Sequence, residues 1–188
     1  MGNNTETGIQ TVGIKKIKSC RGHDGDAWSC DVYADGVKVA LAANDGWGGE
    51  MSLDEISREA SSGFVEVVQR LSRFAIESEV VREVNREWRE KYPDREEDLY
   101  TLDPDKKTHM GQGVSISAIA LVIEELLGRT ETAKKLNKHT IYRDAEGTEW
   151  SRKVAYTEEV RIRIEKEDGA VWFANTDPRY QKPILMTL

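Results

Sequence analysis

With 188 residues, 38% of them hydrophobic and 32% charged, the chain is long enough to bury a core without disulfides or metal, beneath a heavily charged surface. Its net charge of −7 argues against a nonspecific nucleic-acid binder, which shows the opposite balance. Two cysteines, Cys20 and Cys30, are too few for a disulfide framework, the start MGNNTETGIQ is too polar for a signal peptide, and no apolar run reaches the ~18–20 residues that span a bilayer. No membrane association is therefore expected, and a reducing cytoplasm is the expected setting.

Residues 1–11 read as a disordered tail and 12–188 as one α+β domain, with 12–92 and 114–188 as candidate lobes joined by a polar loop, 93–113. A three-stranded antiparallel meander opens the domain, over 13–20, 27–34 and 37–43. Asp24-Gly25 makes its first turn. Asp35-Gly36 makes its second and is the strongest short-range hairpin signal in the chain. Pairing across that two-residue loop sets Val32 opposite Val39 and Cys30 opposite Leu41, so the apolar faces coincide.

Ser52-Leu53-Asp54-Glu55 has the form of a capping box that starts a helix. Apolar residues follow at helical spacing as far as Tyr92, interrupted at Ser78. A single helix over 53–92 would be about 60 Å long, against a diameter of about 40 Å for a compact domain of this size. It must break, at Ser61-Ser62-Gly63, or project its acidic half. Residues 114–127 are apolar nearly all round and predict a buried helix that Gly128 ends, followed by a short basic helix over 131–137 capped by Thr130. C-terminal hairpins complete the reading. Strands at 140–143 and 148–154 flank Asp144-Ala145-Glu146-Gly147. Strands at 159–166 and 170–175 flank Asp168-Gly169, with Val160, Ile162 and Ile164 as a buried face and Ile164 opposite Phe173. Residues 176–188 read as a tail.

Four stretches carry groups able to do chemistry. Arg21, His23 and Asp24 lie together in a turn, where His23 suits acid–base work and Arg21 an anion; turn geometry alone, with glycines at positive φ and Asp24 bonding back to the backbone, explains the same residues better. Gly46, Gly48 and Gly49 lie between a strand and the expected helix, the layout of an anion cradle, although Asp54 and Glu55 already satisfy that helix dipole. Arg129, Lys134, Lys135 and Lys138 fall in the one locally basic stretch, whose helix–turn–helix–hairpin order resembles a winged helix. Residues 77–105 hold eleven acids and five bases. There Glu83, Glu87, Trp88 and Glu90 form a candidate interaction surface. No Cys pair has zinc spacing, the histidines His23, His109 and His139 show no ligand pattern, and no dinucleotide fingerprint follows a strand, so no metal or cofactor is expected.

The run Arg21-Gly22-His23-Asp24-Gly25, then Asp35-Gly36, then Asp45-Gly46-Trp47-Gly48-Gly49, resembles the N-terminal part of small uncharacterised proteins of phages and mobile elements. That resemblance brings no activity and no functional residue. It implies a phage or prophage accessory protein.

The leading expectation is a non-enzymatic interaction protein that binds and inhibits a host protein through the acidic helix and following loop, with Glu83, Glu87, Trp88 and Glu90 exposed together. An enzyme acting on a phosphate-bearing substrate through Arg21, His23 and Asp24, and a DNA-binding protein using residues 129–153, are the alternatives. Homodimerisation through the long helix is a further expectation, because its apolar seam outruns one small domain.

Overall fold

The computed structural model describes residues 8–21, 25–55, 61–96, 99–101, 107–108, 111–112 and 114–188. The fold is α+β. The chain divides into two compact units, one of residues 1–126 with 185–188, the other of residues 127–184. The division falls inside a helix rather than in the polar connection 93–113.

The first unit is built on a five-stranded antiparallel sheet. Strands β1 (Thr11–Arg21), β2 (Asp26–Ala34) and β3 (Val37–Asn44) form the meander. Asp35 and Gly36 both have positive φ, 47° and 81°, the left-handed pair that a two-residue hairpin turn requires. The Asp35 carboxylate helps hold it there by accepting the N–H groups of Gln10 and Thr11 at 3.0 and 2.8 Å. The expected tail is therefore ordered from within: Ile9 is buried and Thr11 already belongs to β1. Residues 1–7 lie outside the described set.

The register beyond this turn differs from the expected one. A bulge sets Val32 opposite Ala40 and Cys30 opposite Ala42, and leaves Val39 without a partner in the ladder. One extra residue reverses the facing of every residue after it. Ala40 and Ala42 therefore line the interior, and Leu41 turns outward, 38% exposed. β1 carries a bulge of its own between Lys15 and Lys18, where Lys16 takes a positive φ of 53°.

The capping-box pattern does not start a helix. Ser52–Asp54 forms β4, which pairs with β3 and buries Leu53 opposite Ala42. The open edge of β3 and a buried site for Leu53 outweigh the local helical signal, a tertiary override of propensity. Residues 56–60 of the expected helix lie outside the described set. Helix α1 (Ser61–Glu77) buries Val68, Leu71, Phe74 and Ala75 at helical spacing. It ends at Ser78, not at Ser61-Ser62-Gly63. The Ser78 hydroxyl donates to the Ala75 carbonyl at 2.6 Å and accepts from the Val81 N–H at 3.4 Å, so one residue stops α1 and caps α2 (Glu79–Lys91). Two short strands, β5 (Lys107–Thr108) and β6 (Gly111–Gln112), pair within the polar connection.

Helix α3 (Ile116–Leu136) passes straight through Gly128. The expected stop and separate short helix are replaced by one continuous helix, since a glycine inside a helix costs only about 1 kcal/mol and the flanking turns are strong helix formers. The last residues are not a tail. β10 (Leu185–Thr187) pairs with β1 and completes the sheet order β10-β1-β2-β3-β4. Val12, Ile14, Val32, Ala40 and Met186 on its inner face are buried, as are Ile119, Val122 and Ile123 in the first half of α3.

The second unit holds a three-stranded sheet with order β8-β7-β9, from β7 (Thr140–Asp144), β8 (Glu149–Arg152) and β9 (Ala170–Phe173). The expected strand over 159–166 is instead helix α4 (Glu158–Asp168). Thr157 caps it by accepting the Val160 N–H at 3.2 Å. Gly169 ends it in the left-handed conformation, φ 65°, so Asp168-Gly169 is a helix terminus and not a hairpin turn. Ile164 is fully buried with Tyr142, Ala170 and Phe173, and Val160 packs on this cluster. Ile162, expected on the same buried face, is 53% exposed, as a helix dictates. Among the described residues no helix is long and apolar enough to cross a membrane.

Candidate functional site

Helix α2 is fixed to its unit along one face. Val81 and Asn85 are buried, and Trp88 and Tyr92 are half-buried one and two turns further on. Asn85 exchanges two hydrogen bonds with the backbone of Tyr100. The rings of Trp88 and Tyr92 meet with centroids 4.5 Å apart, and the Arg95 guanidinium lies 5.8 Å from the Trp88 ring. The Trp88 indole N–H is buried and meets no acceptor among the described residues.

The other face of α2 presents Glu83, Glu87 and Glu90, all exposed at successive turns. Trp88 does not join them in full exposure; it sits on the flank that packs. Glu83 is paired with Arg86. No ion pair forms at Glu87 or Glu90 among the described residues. α2 holds four acids and four bases, so the helix is neutral by itself, and the acidic surplus of the region comes from Glu77 and the residues after Lys91.

The remaining candidates are scattered. Arg21 is exposed at the end of β1, paired with Asp26; His23 and Asp24 lie outside the described residues. The loop of Gly46, Gly48 and Gly49 leads into β4 instead of a helix. Its Gly46 and Trp47 N–H groups donate to Asn44 at 2.8 Å and Asp45 at 3.0 Å, so those two donors are already engaged in side-chain turns. Arg129 is buried on α3, whereas Lys134, Lys135 and Lys138 are exposed near that helix's C-terminus, where its dipole favours cations. With α3 continuous, the helix-turn-helix layout that suggested a winged helix is absent from this stretch.

A polar cluster that the sequence did not single out lies in the second unit, around an open cavity of about 420 Å³ lined by Tyr142, Asp144, Trp150, Ser151, Arg152 and Asp168. The Tyr142 hydroxyl donates to Asp168, and Arg152 donates to the other oxygen of that carboxylate at 2.6 Å and to Glu167 at 3.3 Å. Asp168 ends α4, where the helix dipole disfavours a carboxylate; these two donors offset that. Asp144 accepts the Trp150 indole N–H at 2.8 Å and the N–H groups of Glu146 and Thr148. The Trp150 hydrogen bond, joined by the backbone donors, holds the Asp144 carboxyl below the usual range. Burial, and next the neighbouring Asp168, push the Tyr142 phenol up, so it remains a hydrogen-bond donor at neutral pH. These groups satisfy one another and fasten β7 and β8 to the end of α4. The signal that would have exposed them is the paired Thr157 cap and Gly169 stop, which frame a helix between two hairpin-like turns.

Comparison with known protein families, with curated proteins and with solved structures finds no match.

Proposed function

We propose that the chain is a non-enzymatic protein-interaction module that offers the carboxylates of α2 to a basic surface on a partner. The observation that carries this reading is the row of Glu83, Glu87 and Glu90, exposed at successive turns of a helix whose opposite side is anchored by Asn85, Trp88 and Tyr92. A row held on an anchored helix loses less freedom on binding than one on a mobile segment. The acids that follow Lys91 (Asp94, Glu96, Glu97, Asp98, Asp103 and Asp105) add the net charge that steers a basic partner toward it. The resemblance of residues 21–49 to phage and mobile-element proteins makes a host protein the natural partner, and occupation of its basic surface would inhibit it.

Affinity capture from host lysate tests this, with the wild-type chain beside a Glu83→Lys, Glu87→Lys, Glu90→Lys variant. The reading predicts a partner retained by the wild type at low salt, released by added salt and lost in the variant, with equal thermal melting of both chains. Equal retention by the variant would sink it.

A further inference from the structure

The open face of the five-stranded sheet has the opposite sign to the chain as a whole. Ladder pairing places Lys15, Asp31 and Leu41 side by side across β1, β2 and β3, Lys18 beside Ser29 and Ala43, and Tyr33 beside Lys38. Directly paired residues point the same way, and the residues between them, Ile14, Val32 and Ala40, point into the core at 0% exposure. These lysines therefore stand on the outward face. The bulge in β1 adds Lys16 to them: its ammonium reaches Asp31 at 3.2 Å. In a chain of net charge −7, four lysines share this face with Asp31 and, at the β4 edge, Asp54.

Three of the four, Lys15, Lys16 and Lys38, have a partner. Asp31 is buried at the floor of the face, 5% exposed, and binds Lys38 at 2.8 Å as well as Lys16. One carboxylate thus fixes two ammonium groups above the sheet and leaves a net positive charge. Lys15 lies over the Tyr33 ring, 4.4 Å from its centroid, a contact that orders the ammonium without neutralising it. Ser29 and Ala43 lie beside Lys18 on this face, and Leu41 lies beside Asp31.

We propose that this face is a docking surface for an acidic peptide segment of a partner protein, read by Lys15, Lys16, Lys18 and Lys38. Charge complementarity selects carboxylates. Nucleic acid fits less well for two reasons. The Tyr33 ring is already covered by Lys15, so among the described residues the face offers no free aromatic on which bases could stack. A long polyanion also extends beyond the ~8–10 Å over which these lysines act at physiological ionic strength and there meets the negative remainder of the chain. A short acidic segment feels the local field alone. This surface shares no residue with α2, so it stands or falls apart from the reading above.

The test uses the full chain and a fluorescein-labelled oligo-aspartate peptide, followed by fluorescence anisotropy at low ionic strength, with oligo-dT as the competing probe. Lys15→Gln with Lys18→Gln removes two charges that do not hold Asp31. Saturable binding that weakens about fivefold in the double variant and fades with salt is expected, together with weaker binding of oligo-dT. Acetylation footprinting of the wild-type chain gives a readout independent of how the variant folds: the peptide protects Lys15 and Lys18 and leaves Lys134 and Lys135 reactive. No binding by the wild type, equal affinity in a folded variant, equal protection of Lys134 and Lys135, or tighter binding of oligo-dT would each overturn the proposal.

Discussion

Asn85 and Tyr100 are joined by a reciprocal clip: the Asn85 amide donates to the Tyr100 carbonyl at 2.8 Å and accepts the Tyr100 N–H at 2.9 Å. A backbone pair is thus satisfied by one side chain from a helix fifteen residues earlier in the chain. The clip ties the start of the polar connection back onto α2, beside buried Leu99.

Replacing Asn85 by Ala strands both Tyr100 groups. The expected cost is about 1–3 kcal/mol, read by urea denaturation. Asn85→Asp keeps the acceptor for the Tyr100 N–H but sets a carboxylate against a carbonyl, so it recovers little of the loss at neutral pH. An alanine variant as stable as the wild type would show that the clip contributes nothing.

Asp31 makes stability depend on acid. The Lys38 ammonium beside it, and then Lys16, hold its carboxyl below the ordinary value of 3.8. A carboxylate whose folded value is depressed contributes stability above its unfolded value and loses it as pH falls through the folded one. Thermal melting between neutrality and about pH 2 should therefore show an acid limb that is flatter in Asp31→Asn, with the two proteins converging at the lowest pH. Parallel profiles would remove this role.

The two thiols should react very differently. Cys20 is exposed and Cys30 buried, and both are free. They lie on opposite faces of the sheet, Cys20 beside Ala27 and Cys30 beside Ala42. Burial, with the adjacent Asp31 charge, pushes the Cys30 thiol up to about 12, so almost none is thiolate at neutral pH. Titration with a chromogenic disulfide should count one thiol in the native protein and both in denaturant.

Ile162 and Ile164 separate a helix from a strand in this segment. A strand would bury both on one face, whereas α4 buries Ile164 fully and leaves Ile162 more than half exposed. Ile164→Ala should cost about 2–5 kcal/mol, and Ile162→Ala should stay within about 0.5 kcal/mol. Equal costs in denaturant melts would contradict α4.

Legibility of the fold followed how local each signal was. Asp35-Gly36 was readable because the turn's φ demand falls on its own two residues. Its register was not, because the bulge at Val39 answers to the twist of the whole sheet. β4 and β10 escaped because a three-residue edge strand is defined by its partner, and for β10 that partner lies at the other end of the chain. Val160, Ile162 and Ile164 fit an alternating pattern, while Val160 and Ile164 equally fit a helical one; the Thr157 cap and the Gly169 stop decided between them. Of the interaction surface, Glu83, Glu87 and Glu90 could be placed on one helix face from spacing alone. The half-burial of Trp88 could not, since it depends on Tyr92 and Arg95.

The chain leaves its first unit after Leu126 and re-enters it at Leu185, so the second unit is an insertion between two parts of one sheet. During synthesis the β1 edge reserved for β10 must wait while 58 intervening residues are made. For that interval a nascent first unit exposes an unpaired strand, the kind of edge that invites pairing with a neighbouring chain. Three residues close it: Leu185, Met186 and Thr187.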